Sequence, residues 1–234
     1  MLAERDWHCV LLARGEERLR AVAGDVGGEH VVCDISDRAA VERVAAAVTE
    51  RHPRIGLLVN NAGIAGRRGF LELEPERIEQ ITRINYLGSV WCVRAFLPAL
   101  EAAAPADVVN VVSVAGLVAL PRSGPYSAAK HAQAAFSRSI AGELGPRGVR
   151  VHAVYPGFVA TEGFPQRGVL GSPLLERLVV GPEAVADAVV RALERNRAEV
   201  FVPRWYRLPA LVQGVAPRLL ARASARVGAR HSSR

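Results

Sequence analysis

The stretch from Ser113 to Lys130 reads SVAGLVALPRSGPYSAAK and holds three groups able to do chemistry together: Ser113, Tyr126 and Lys130. On a helix, residues i and i+4 share a face, so the Tyr126 phenol and the Lys130 ammonium stand one above the other. A phenol ordinarily loses its proton near pH ~10. An ammonium within hydrogen-bonding distance favours the phenolate and lowers that value. Such a pair is an acid/base group able to work near neutral pH. Ser113 follows the apolar run Val108-Val109-Asn110-Val111-Val112, which puts its hydroxyl at the end of a strand, ready to bind a substrate oxygen. Lys130 is the only lysine in the chain. A Tyr-x-x-x-Lys pair alone is common on ordinary helices, so its companions decide what it means.

The elements that must position these groups are legible in order. Pro125 suits the first turn of a helix, where its missing N–H costs nothing, and Gly145-Pro146 stops that helix. Short apolar runs alternate with helical stretches. Strands are expected at 7–13, 30–33, 55–59, 108–112, 149–154 and 199–202. Helices are expected at 16–23, 38–51 behind an Asp37 cap, 75–101 behind Pro75, 125–144, and 182–195. Residues 2–6 read as the end of a further helix. This alternation predicts an α/β fold, a single-domain doubly wound, Rossmann-like parallel sheet covered on both faces. The domain spans residues 1–203, and 204–234 form a basic amphipathic tail.

Size and composition exclude several classes. The 234 residues suffice for one domain with a substantial core. No apolar run approaches the ~20 residues of a membrane span, and the charged LAERD after Met1 does not read as a signal peptide. Cys9, Cys33 and Cys92 lie in apolar stretches, so buried free thiols in a cytoplasmic protein fit better than a disulfide framework. The net charge of +7 comes from arginines that are scattered except in the tail, so no nucleic-acid partner is expected.

CDIS at 33–36, NNAG at 60–63, Asn85 within RINYLG, Ser113, YSAAK at 126–130 and YPGFVAT at 155–161 together resemble the short-chain dehydrogenase/reductase family. The likeness runs from about Leu2 to about Pro203. It implies hydride transfer between a nicotinamide dinucleotide and a carbonyl/alcohol pair. Tyr126 is the implied proton donor and acceptor, Lys130 its modulator and a ligand of the nicotinamide ribose, and Ser113 the partner of the substrate oxygen. Asn85 is implied to extend a proton relay through a water held by its backbone carbonyl. Arg14 falls beside the adenine ribose. Ala13 there replaces the acid that would bind a free 2′-OH, and Arg14 offers a cation to a 2′-phosphate, so NADP(H) is expected rather than NAD(H). Asp34 and Ile35 correspond to adenine contacts. Asn60, Ala62 and Gly63 line the cofactor, with bracing of neighbouring strands an equal reading for Asn60. Pro156, Gly157 and Thr161 belong to the loop that holds the nicotinamide amide. No metal is expected.

The resemblance also predicts a strand and a Gly-rich phosphate-binding turn ahead of the residues present. In the strand order 3-2-1-4-5-6 that first strand lies mid-sheet. Without it, two strand edges stand about two spacings (~9.6 Å) apart with unpaired backbone groups. The expectation is that the natural chain begins upstream of Met1. The alternative is a genuinely shorter chain that keeps the fold as a non-catalytic scaffold. The segment 162–180, rich in Gly, Pro and Leu, is expected to cover a hydrophobic substrate. In the tail, Arg218, Arg222, Arg226, Arg230 and Arg234 recur every four residues beside Leu and Val. That pattern reads either as a peripheral membrane contact or as packing on a partner subunit. The resemblance implies a homodimer or homotetramer through the long helices at 75–101 and 123–144.

Overall fold

The strand Ala106–Val111 is buried over almost its whole length, and its neighbours Val108 and Val109 belong to two different cores. Side chains alternate across a strand, so burial of both means that both faces of this sheet are covered. The computed structural model describes residues 1–66, 68–119, 123–160 and 179–218. Among them the order is β1 (Val10–Ala13), α1 (Glu16–Asp25), β2 (Glu29–Val32), α2 (Arg38–Arg51), β3 (Leu57–Asn60), α3 (Pro75–Thr82), a π-helical turn (Arg83–Leu87) and α4 (Gly88–Ala102). Then follow β4 (Ala106–Val111), α5 (Gly124–Leu144), β5 (Val149–Pro156), α6 (Pro182–Glu194), β6 (Glu199–Val202) and α7 (Arg207–Val215).

Local chemistry explains most of these boundaries. The Asp37 carboxylate accepts from Ala39 N at 2.9 Å and caps α2. Prolines occupy the first turn of α3, α5 and α6, as at Pro75, Pro125 and Pro182. Gly148 takes a left-handed turn at φ 77° and delivers the chain from α5 into β5. The helix expected through 75–101 runs continuously from Pro75 to Ala102 and widens to one π-helical turn at Arg83–Leu87. There Asn85 takes the carbonyl of Ile81, four residues back, at 3.0 Å, in competition with the backbone ladder.

All strand pairs are parallel, but the sheet comes in two pieces, β1–β2 and β3–β4–β5–β6. The division falls where the resemblance places the first strand. Between the facing edges of β1 and β3 lies a hollow of about 680 Å³, lined by apolar side chains such as Leu12, Leu19, Leu57 and Val59. The two pieces are held together from one side. Val10, Leu12 and Val31 pack against the same cluster as Val41 of α2, Phe96 of α4 and Val151 of β5. On the other face, Ala188 and Val189 of α6 pack against Val109, Val154 and Val202.

Among the described residues no helix is long and apolar enough to cross a membrane. α7 leaves Leu208, Leu211 and Val215 exposed, with Trp205 just before it. Arg218 is the last described residue of the tail; Arg222, Arg226, Arg230 and Arg234 lie outside the described residues, as does most of the expected substrate cover.

Candidate active site

The predicted site residues converge on the carboxyl ends of three adjacent strands. Asn60 ends β3, Ser113 stands two residues beyond β4, and Pro156 ends β5 with Gly157 next. Tyr126 and Lys130 lie in the first turns of α5, and Asn85 lies in the π-turn. In open α/β sheets this rim is where ligands bind.

Ser113 adopts φ 152° and ψ 156°, a region that residues with a side chain rarely enter, at a cost of roughly 1–3 kcal/mol. Its hydroxyl accepts from Ala115 N at 3.1 Å, lies 3.4 Å from Pro156 O, and hydrogen-bonds the Tyr126 phenol. The turn after it, Val114–Gly116, is pressed onto α5: a Cβ at Gly116 would sit 2.6 Å from Lys130 O. Only glycine allows that approach, so Gly116 fixes the distance between the serine turn and the helix carrying Tyr126.

Lys130 is buried, and its ammonium donates to Val111 O at 3.0 Å and to Gln133 Oε1 at 2.8 Å. It lies 5.9 Å from the centre of the Tyr126 ring. Burial pulls Lys130 down to about 7. The sequence reading has this ammonium lowering the phenol. In the structure the phenol goes the other way: burial raises Tyr126, and the bond with Ser113 opposes the rise only in part. The i, i+4 spacing brings the two side chains together, but the ammonium is turned toward the end of β4 and Gln133.

Asn85 is fully buried and clamps the loop after β3. Its Oδ1 accepts from Ile64 N at 3.1 Å and its Nδ2 donates to Ile64 O at 3.0 Å. Arg77 donates to Ala65 O at 3.2 Å and Ser123 to Gly66 O at 2.7 Å, so three elements hold three successive residues. A Cβ at Gly63 would lie 2.7 Å from Asn85 Oδ1 and 3.9 Å from Lys130 Nζ. Glycine there brings the loop backbone down onto the lysine.

Asn60 spans strands. Its Nδ2 donates to Asn110 Oδ1 at 2.8 Å, Asn110 Nδ2 to Ser137 Oγ at 2.9 Å, and Ser137 Oγ to Gln133 O at 2.7 Å. Gln133 Nε2 donates to Ser89 Oγ at 2.8 Å. These groups are all buried, and such networks persist when every member is paired. Sequence reasoning missed Gln133, Asn110, Ser137, Ser89 and Gly116. Only Gln133 carried a signal, because three residues past Lys130 it shares the helix face.

Of the remaining cofactor candidates, Ile35, Asn60 and Ala62 line the hollow, and Arg14, Asp34 and Gly157 lie outside it. Arg14 follows β1, is exposed, and lies 3.8 Å from Asp34 Oδ2. Burial pushes Asp34 up, but hydrogen bonds from Ser36 and the nearby Arg14 charge hold it below the ordinary carboxylate value. Ile35 packs on Gly88, where a Cβ would come within 2.6 Å of Ile35 Cδ1. Gly157 packs on the Tyr206 ring in the same way, leaving no room for a Cβ. Ala62 and Asn60 line the hollow together with Ala13 and Gly15. Thr161 lies outside the described residues.

These residues fit a dinucleotide at its two ends. Of the three donors of an ammonium, Lys130 spends two on Val111 and Gln133. Among the described residues no Gly-rich turn cradles the middle of the crevice.

Residues 1–168 match the family model described as short chain dehydrogenase. A 3-oxoacyl-(acyl-carrier-protein) reductase of Bos taurus is 33% identical over 164 residues, 69% of this chain and 69% of that protein. A short chain dehydrogenase of Burkholderia cenocepacia, solved with NADP, is similar with a TM-score of 0.73 and 27% identity, over 93% of this chain and 97% of that one. A short chain dehydrogenase/reductase of Burkholderia phymatum, solved with NAD, has a TM-score of 0.78 at 23% identity over 91% and 85% of the two chains, a likeness of fold alone.

Proposed function

We propose, for a chain that belongs to the short-chain dehydrogenase/reductase family, an NADP(H)-dependent oxidoreductase that interconverts a carbonyl and an alcohol on a hydrophobic small molecule. Family membership makes it an oxidoreductase acting on CH–OH and C=O groups. The observation that carries the finer reading is the Ser113–Tyr126 hydrogen bond beside the buried Lys130, at the ligand-binding rim of the sheet.

NADP(H) supplies or accepts the hydride when bound. The chain's own residues manage the oxygen. In reduction the Tyr126 phenol donates its proton to the carbonyl oxygen, and in oxidation it takes that proton back. Ser113 holds the same oxygen through its hydroxyl, on a turn that Gly116 locks to α5. Burial keeps the phenol protonated at neutral pH, the form that carbonyl reduction needs. The third donor of Lys130 serves a ribose hydroxyl. Asn85 holds the loop through Gly63 in place against that lysine.

Preference for NADP(H) rests on Ala13 and Arg14 at the end of β1, where a cation replaces the acid that binds a free 2′-OH. The exposed Phe70, whose ring meets Gly124 two residues before Tyr126, and the fully exposed Leu71 next to it support an apolar substrate. The test is titration with NADPH followed by its fluorescence, then its oxidation with a panel of aliphatic and aromatic carbonyl compounds. Binding and turnover are expected. Absence of NADPH binding removes this reading and leaves the scaffold.

A further inference from the structure

We propose that His8, Glu29 and His52 form a binding site for a divalent transition-metal ion of the zinc type, away from the catalytic rim. His8 precedes β1, Glu29 opens β2, and His52 follows the last residue of α2. All three sit at the amino ends of their strands or on the helix that returns there, opposite Arg14 and Ser113. His8 Nε2 lies 2.9 Å and His52 Nε2 lies 2.7 Å from the same carboxylate oxygen, Glu29 Oε1. The three ligand atoms all fall within 4.8 Å of one another, and the two imidazole rings lie 5.2 Å apart between centres.

Two imidazole nitrogens and one carboxylate oxygen are a zinc ligand set that leaves a position for water. With metal–ligand bonds near ~2.1 Å, tetrahedral ligand atoms stand about 3.4 Å apart, so side-chain rotation must open the present contacts by about half an ångström. The backbone is already fixed. Glu29 N donates to Cys9 O at 2.9 Å and His52 N to Val48 O at 2.8 Å. The second carboxylate oxygen is held too: Arg51 donates to Glu29 Oε2 at 3.1 Å while its other nitrogen bonds Ala47 O at 2.8 Å. Arg51 thereby orients the carboxylate and leaves Oε1 to the ion, an outer partner of the kind that fixes metal ligands. To ligate through Nε2, each imidazole carries its proton on Nδ1. It joins the two-stranded piece of the sheet to α2, at the end of the hollow that His8 lines.

The experiment uses the tag-free chain with cobalt(II) or zinc(II) chloride alone. One equivalent of cobalt is expected to give the intense visible absorption of a four-coordinate nitrogen–oxygen site, and zinc to raise the midpoint of thermal unfolding until a chelator reverses it. His52→Gln and His8→Gln are each expected to weaken zinc binding about a hundredfold or more while folding unchanged by circular dichroism, because the His8 side chain is about 53% exposed and the His52 side chain about 30% exposed. Arg51→Gln is expected to weaken it about tenfold. A cobalt spectrum like that in buffer overturns the site. Parent-like affinity in the histidine variants, or a sulfur-to-cobalt charge-transfer band from nearby Cys9, overturns the ligand assignment.

Discussion

The backbone oxygen of Lys130 closes so tightly on Gly116 that an added Cβ would lie 2.6 Å from it. The contact joins the turn that begins at Ser113 to the helix that carries Tyr126, so it sets the spacing of the two groups proposed to act on the substrate oxygen. Gly116→Ala must push backbone against backbone. Overpacking of this kind costs about 1–3 kcal/mol. A displacement near 1 Å at reacting groups can cost about a hundredfold in rate. The expected outcome is a folded, less stable protein whose turnover falls much further than its NADPH affinity, measured by urea unfolding and steady-state kinetics.

Tyr126→Phe keeps the ring and removes the proton. Turnover is expected to fall about 10²–10⁴-fold, the usual share of general acid catalysis, with NADPH binding retained. Near-parent turnover in this variant would show that another group handles the proton.

In the proposed NADP(H) site, Arg14 is the cation offered to the 2′-phosphate. Arg14→Ala removes a charge-assisted bond of roughly 1.5–3 kcal/mol. KM for NADPH is expected to rise about ten- to a hundredfold while that for NADH changes little. Equal effects on both cofactors would assign Arg14 to the surface pair with Asp34.

Lys130 makes stability depend on pH. Burial brings it from 10.5 to about 7. Between these values the unfolded chain binds a proton that the folded chain does not, so stability rises with pH across that window. Below about 7 both states are charged and the full burial penalty remains, on the order of a few kcal/mol. Lys130→Met should therefore be more stable than the parent near neutral pH and lose the upward slope toward about pH 10. Gln133→Leu removes an acceptor from the ammonium and should extend the slope to lower pH. Urea midpoints across this range decide both.

Asp107 works in the opposite direction. Its carboxylate takes both Arg150 Nε at 2.8 Å and Arg150 Nη2 at 2.7 Å, and it also bonds the fully buried His152 at 2.8 Å. Burial pushes Asp107 up, but these bonds outweigh it and hold it below its ordinary 3.8. A depressed carboxyl contributes stability that is complete above its unfolded value and is lost as pH falls through the folded one. Asp107→Asn takes the carboxylate from the buried His152 and from the partly exposed Arg150 and is expected to lower stability by about 1–3 kcal/mol at neutral pH. It should also flatten the acid limb of the stability curve, read from unfolding midpoints between about pH 5 and about pH 2.

What the sequence determined by itself was local in origin. The Asp37 cap, the prolines opening α3, α5 and α6, and the i, i+4 placement of Tyr126 and Lys130 all follow from residues a few positions apart. The alternation of apolar strands and helices named the fold for the same reason, since each element carries its own period. Tertiary structure decided where the polar atoms turn. Lys130 is a neighbour of Tyr126 in sequence, yet its ammonium goes to Val111 and Gln133, because a buried cation takes the acceptors that packing brings closest. Asn60 found its partner fifty residues away on β4, and Asn85 holds Ile64 from a π-helical turn. His8, Glu29 and His52 have no spacing that announces them. They meet because two parallel strands and a returning helix end at one corner, and only the packed chain can bring such distant residues within bonding distance.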